Sequence, residues 1–358
     1  MPSGDEFVPD WTSAPGDTIA DILVERNLSV AEFAGRMGQP IDRTKDLIQG
    51  RATITIKIAR RLQQVLGASV EFWMSRDFQY REDTARLHGA DDEWLRELPI
   101  GDMIKFGWLY PAPRPSEEVA ASLRFFGLSS VPAWRHAYAE LLAMTAFRTS
   151  QSFDSRSAAV AAWLRQGEIE SKMIDCSPWD PNQFEQSLSA VRPLTRRKHP
   201  SHFIPGLRQI CAASGVAIAI VRAPNGCRAS GATRFLARDK ALIQLSFRYL
   251  SDDQFWFTFF HEAGHLLRHG DRKLFLEGVE SSSQREEDEA NEFAAQILVP
   301  PQAQPILLSL RANDSREVIR FAQRIGISPG IVVGQLQHYG RVRRDHLNSL
   351  KRRFTWDE

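Results

Sequence analysis

Cysteine is scarce here. Cys176, Cys211 and Cys227 are the only three in 358 residues, and no two stand in C-x-x-C spacing. That excludes a cysteine-framed zinc ribbon and argues against a disulfide scaffold, so reduced thiols in a cytoplasmic protein are the expectation. Long apolar runs are missing as well. None approaches the ~20 residues that a membrane span needs, and the longest candidate, 255–260, runs directly into charged residues. Residues 1–11 lack a basic start and an apolar core and are broken by Pro2 and Pro9, which speaks against a secretory signal. Neither charge sign is in excess. The net charge of +1 excludes a strong overall field, so any nucleic-acid contact must come from a local basic patch.

What is present is the balance of a soluble globular protein, with 43% hydrophobic and 25% charged residues over a length that exceeds one ordinary core. Four segments follow from the patterning. Residues 1–80 read as five short helices. Ser29 with Glu32 three residues on forms a capping box. Gly38 breaks the second helix, and a short helix over 40–48 ends at Gly50. Two short helices joined through a glycine turn are the sequence form of a helix-turn-helix. Residues 81–200 are helical and apolar-patterned, with proline-marked turns at 111–115 and 178–181 and a basic, linker-like stretch at 196–200.

The pattern changes over 201–305. A helix over 204–214 precedes three β-rich stretches at 216–221, 232–236 and 241–245. Long helices over 252–269 and 284–298 follow, the second stopped by Pro300-Pro301. A small sheet with two helices is a compact α+β layout. Residues 306–358 are helical again, with a helix-glycine-helix rhythm around Gly326 that reads as a cap and a basic tail after Arg341 that reads as a solvated face. The fold class expected is therefore multidomain and mainly α, with the small sheet confined to the third segment.

The chemistry concentrates in His261-Glu262-Ala263-Gly264-His265. Residues four apart on a helix share a face, so His261 and His265 can meet at one metal ion, and Glu262 can act as base toward a water there. An open catalytic zinc site takes three protein ligands. Glu286 and Glu287 both lie near the apolar face of the following helix, set by Ala290, Ala294, Ile297 and Leu298, and periodicity does not separate them. Asn291, one turn after Glu287, can orient a ligand histidine, which favours Glu287. Glu289 and Glu292 read as a solvated, dipole-favoured helix start. His269, four residues past His265, reads as a packing or orienting histidine, because an open site has no place for a fourth ligand.

These residues resemble the ImmA/IrrE metallopeptidase family, through the phrase at 257–267 and the acidic helix at 287–300 with its Ala290-Asn291 pair. The resemblance implies Zn²⁺ held by His261, His265 and Glu287, with Glu262 as base. It also implies a protein substrate, typically a helix-turn-helix repressor or toxin–antitoxin component, and a role in relieving repression. The front of the chain is similar to Xre-type helix-turn-helix domains of HigA-like antitoxins, which implies operator DNA as a partner and possible homodimers. The candidate DNA-contacting set is Gln39, Arg43, Lys45, Gln49 and Arg51. Two positions depart from that pattern. Val30 stands where a glutamine is usual and Pro40 where a serine is, and neither can donate to a phosphate. The first 80 residues carry slightly more acid than base, so dimerisation or grip on a repressor is the competing use of this module. A non-proteolytic repressor with a ligand-sensing metal fold is the competing use of the whole chain. An extended substrate is expected to pair antiparallel with an edge strand at 232–236.

Overall fold

The computed structural model describes residues 12–139, 157–269, 275–276, 284–310 and 314–356. The stretch at 1–11, read above for a signal, lies outside them. Contacts divide the chain into two compact units, Met1–Leu95 and Arg96–Glu358.

The first unit holds α1 (Pro15–Glu25), α2 (Val30–Met37), α3 (Ile41–Ile48), α4 (Ile56–Leu66) and most of α5 (Val70–Glu97). The Ser29 hydroxyl accepts from the Glu32 N–H while the Glu32 carboxylate accepts from the Ser29 N–H, so the capping box starts α2 as its sequence dictates. Gly38 ends it at φ +64, a left-handed conformation that side chains resist. Ile19, Phe33, Met37, Leu47, Leu62 and Trp73 make the core. α5 differs from expectation. It does not end within the first 80 residues but continues past that sequence-based boundary to Glu97.

The second unit opens with α6 (Ile100–Lys105), α7 (Pro115–Phe126) and α8 (Val131–Ala137). α9 (Ser157–Ser171), α10 (Pro181–Val191) and α11 (Pro200–Ala212) lead into β1 (Val216–Ile220), β2 (Gly231–Ala237) and β3 (Lys240–Leu245). α12 (Asp252–Arg268), the two-residue β4 (Phe275–Leu276), α13 (Gln284–Leu298), α14 (Gln304–Ser309), α15 (Ser315–Ile325) and α16 (Pro329–His338) complete it. The sheet order is β1-β3-β2-β4. β1 runs parallel to β3, with Val216 opposite Ala241, and β2 runs antiparallel to β3, with Thr233 opposite Ile243. Strand alternation assigns the two faces. Val216, Ile218, Ala241, Ile243 and Leu245 enter one core with Phe203 and Leu207 of α11 and Trp256, Phe259 and Phe260 of α12. Gln244 points the other way and donates to the Trp163 carbonyl of α9 at 2.6 Å.

Two consequences correct the segment reading. The middle region supplies a layer of this unit, since Ala158 to Leu164 of α9 are all buried and α9 packs on β1 and β3. The residues beyond 306 also share the core, through Val318, Phe321, Val332, Leu336 and Phe354. The edge-strand expectation is corrected for Ala232 and Thr233. β4 pairs with Ala232 and Thr233 of β2, so that stretch of β2 is an inner strand and its backbone groups there are taken. Among the described residues no helix is long and apolar enough to cross a membrane.

Candidate metal centre

α12 is buried almost all round because it lies between the sheet and α13 and α16. Its interior polar residues therefore need partners. His261, Glu262 and His265 are 3%, 0% and 1% exposed. Glu287, in the first turn of α13, brings one oxygen to each histidine. His261 Nε2 to Glu287 Oε2 is 3.3 Å, and His265 Nε2 to Glu287 Oε1 is 3.4 Å. The two Nε2 atoms are 3.0 Å apart. One ligand atom from each of the three residues thus lies within 4.8 Å of the others. Glu287, rather than the adjacent Glu286, faces the histidines in this group.

The surroundings set the ring chemistry. Asn291 Oδ1 lies 3.0 Å from His261 Nδ1. An amide oxygen only accepts, so Nδ1 carries the proton and Nε2 presents its lone pair to the cluster. Burial holds the His265 pKa below the usual imidazole range, opposed by the hydrogen bond to Glu287. A neutral imidazole is the form that binds a metal. Two convergent ring nitrogens and a carboxylate, with one ring oriented from behind, are the donor set of a divalent zinc-type ion, so the residues present fit that group.

Close backbone approach builds this geometry, and the sequence reading passed over it. At Gly264 a Cβ would lie 3.2 Å from Ala290 Cα and 3.0 Å from the Phe293 ring, so the glycine lets α13 lie directly on α12. At Gly231 a Cβ would come within 2.6 Å of Glu262 Oε1, so the start of β2 rests against the Glu262 carboxylate. Neither glycine stands out by pattern. Two acids at the start of α12 are buried anchors. Asp252 accepts from the Ser328 hydroxyl and from the Arg352 N–H at 2.9 Å, and Asp253 pairs with Lys351 at 2.6 Å. Burial raises the Asp252 pKa against the pull of the Ser328 hydrogen bond. The tail read as a solvated face is thus partly structural, with Lys351 and Arg352 fastened to the base of α12.

The remaining candidates fall outside the donor group. His269 Nε2 lies 2.9 Å from Glu289 Oε2, with its ring centroid 5.4 Å from that of His265. Glu289, read as solvated, accepts from His269 and Arg285, which lowers its pKa. In the first unit Arg43, Lys45 and Gln49 are exposed on or just after α3 and Gln39 is half-buried. Arg51 is exposed too, but its guanidinium is held by Asp46 at 2.6 Å. Beside the metal centre a cavity of about 590 Å³ reaches Phe257 and Asn291, with Gln254, Gln296, Gln335 and Tyr339 on its walls.

Residues 216–336 match the IrrE N-terminal-like domain family, Peptidase M78. The N-terminal region is 36% identical over 61 residues to an uncharacterized HTH-type transcriptional regulator, YddM, of Escherichia coli (strain K12). That match covers 17% of this chain and 65% of the relative, just under two thirds of its length. The chain thus joins an N-terminal region similar to a helix-turn-helix regulator to a metallopeptidase-like domain similar to the IrrE N-terminal-like family. The match spans the sheet, α12 and α13, and it extends through α15 into α16.

Proposed function

We propose that this protein is a zinc-dependent metalloendopeptidase that regulates transcription or a toxin–antitoxin pair by cleaving a repressor-type protein. The convergence of His261, His265 and Glu287 beside the wholly buried Glu262 carries this reading. His261, His265 and Glu287 would hold a zinc ion, which when bound would supply Lewis-acid polarisation of a scissile carbonyl and a lowered pKa for water. Glu262 accepts the proton of the attacking water on a carboxylate oxygen and returns it to the leaving amide nitrogen. Asn291 keeps His261 Nε2 aimed at the centre, and Gly231, lacking a side chain, leaves room for the Glu262 carboxylate on the strand side. The test is Glu262→Gln. It keeps the metal, because Glu262 is no ligand, and it loses cleavage of a co-expressed neighbouring repressor. Loss of metal in this variant, or full cleavage by it, overturns the assignment.

The helix-turn-helix module is proposed to bind operator DNA as a dimer, with Arg43, Lys45 and Gln49 toward the bases and phosphates. The cytoplasm is the proposed compartment, in keeping with three free cysteines. One observation favours a second reading, a ligand-sensing metal fold without turnover. Asn291 lines the 590 Å³ cavity, so an occupant that touches it would act on His261 through the hydrogen bond between them. Retention of repressor control by Glu262→Gln would select that reading.

A further inference from the structure

Two basic runs have no part in the metal centre, 196–199 and 351–353. The fold brings them together. Arg352 Nη1 donates to the Thr195 carbonyl at 3.0 Å across 157 residues of sequence, and to the Arg197 carbonyl at 3.1 Å. The Arg352 backbone is itself pinned, its N–H to Asp252 Oδ1 at 2.9 Å and its carbonyl accepting from the Asp252 N–H at 3.1 Å. Between the runs lies a cavity of about 450 Å³ whose charged lining residues, among the described residues, are Lys198, Arg352 and Arg353, with His199 beside them. Lys198, His199 and Arg353 are exposed.

The cationic surface continues past this cavity. Arg353 Nη1 donates to the Tyr249 carbonyl at 3.3 Å. Tyr249 is 48% exposed, and the Arg248 guanidinium lies 4.9 Å over its ring. Arg248 in turn donates to the Arg228 carbonyl. In a chain of net charge +1, three cations lining one cavity are a local concentration of charge, and Arg352 among them is held at both its backbone and its guanidinium.

We infer that this ridge on the second unit binds the sugar–phosphate backbone of DNA without sequence preference. Phosphate oxygens are met by Lys, Arg and Tyr side chains of this kind, and each neutralised phosphate releases counterions. Both phosphate and an acidic protein segment would satisfy the cations. The exposed Tyr249 among them favours nucleic acid, because a tyrosine hydroxyl beside Lys and Arg is a donor set that phosphate oxygens take. A module resembling transcription regulators in the same chain favours it as well. The inference does not depend on peptidase activity or on base reading by α3.

The test is a fluorescence-anisotropy titration of the full-length protein with a 20-base-pair duplex of arbitrary sequence, at several salt concentrations. Lys198→Glu/Arg353→Glu is expected to weaken binding by about tenfold or more and to lower the log–log salt slope by about two. Lys198→Gln/Arg353→Gln should give a smaller loss in the same direction. Unchanged metal content and thermal midpoint show that both variants fold. Equal affinity and slope for variant and parent overturn the inference, as does a parent that binds polyglutamate but not the duplex. Failure of the α3 reading is separate, since it shows as an Arg43→Ala variant indistinguishable from its parent on operator DNA.

Discussion

Gly264 of α12 faces Ala290 of α13 at close approach: a Cβ there would stand 3.2 Å from the Ala290 Cα, so a side chain fits only if α13 gives way by a few tenths of an ångström. That approach carries the first turn of α13 to the two histidines, so a residue that coordinates nothing sets the reach of Glu287. Gly264→Ala should cost about 1–3 kcal/mol of overpacking, partly offset by about 1 kcal/mol of helix propensity. Gly264→Leu should lower metal occupancy although every ligand is intact. Elemental analysis reads the outcome, and full occupancy in the leucine variant would show that α13 tolerates displacement.

Metal content should fall sharply in His261→Ala, His265→Ala and Glu287→Ala, whereas Glu286→Ala should retain it. Asn291→Ala leaves all ligands in place but frees the His261 ring, so affinity should drop by about 10–100-fold. Competition with a chelator measures this. An Asn291→Ala affinity equal to the parent's would mean that its hydrogen bond to His261 Nδ1 orients nothing.

The Asp253–Lys351 pair is almost wholly out of water, with side chains 3% and 11% exposed. Lys351→Met leaves a buried carboxylate without its cation and should cost about 3–5 kcal/mol. Asp253→Leu/Lys351→Met should recover much of that loss, because removing both charges also removes the desolvation cost. Denaturant titration of the single and double variants decides, and a double variant no better than Lys351→Met would place the cost elsewhere.

Burial pushes the Cys227 thiol from its ordinary value of 9.0 up to about 12, and it raises Cys211 as well. The sign for stability follows directly. Above pH 9 the unfolded thiol releases its proton while the folded one keeps it, so each contributes stability that is complete below pH 9 and is lost as pH rises towards 12. The slope in that window should be at most about 1.4 kcal/mol per pH unit for Cys227. Cys227→Ala should flatten it. Mass-spectrometric alkylation at pH 8 should label neither Cys211 nor Cys227 in the folded protein, and rapid labelling of either would show that its site opens.

In the helix-turn-helix module, Arg43→Ala should cost about 1–3 kcal/mol of operator affinity if it reads a base edge. Arg51→Ala should cost less, because Asp46 already holds its guanidinium. Anisotropy titration against the upstream region separates the two, and a larger loss for Arg51 would reverse their roles.

The sequence alone determined what depends on local spacing. The capping box at Ser29 and Glu32, the left-handed stop at Gly38 and the shared face of His261 and His265 arise from residues three or four apart, whose geometry a helix fixes regardless of the rest of the chain. Whatever depends on which backbones meet was decided only in three dimensions. Glu286 and Glu287 are equivalent by period, and the crossing of α12 and α13 at Gly264 separates them. A strand at 232–236 was readable, but its neighbour on the far side, β4, was not, because two residues carry no periodic signal. Lys351 and Arg352 look like a solvated tail in one dimension. In the fold they anchor the base of α12, because buried carboxylates at Asp252 and Asp253 must be met by donors from wherever in the chain they come.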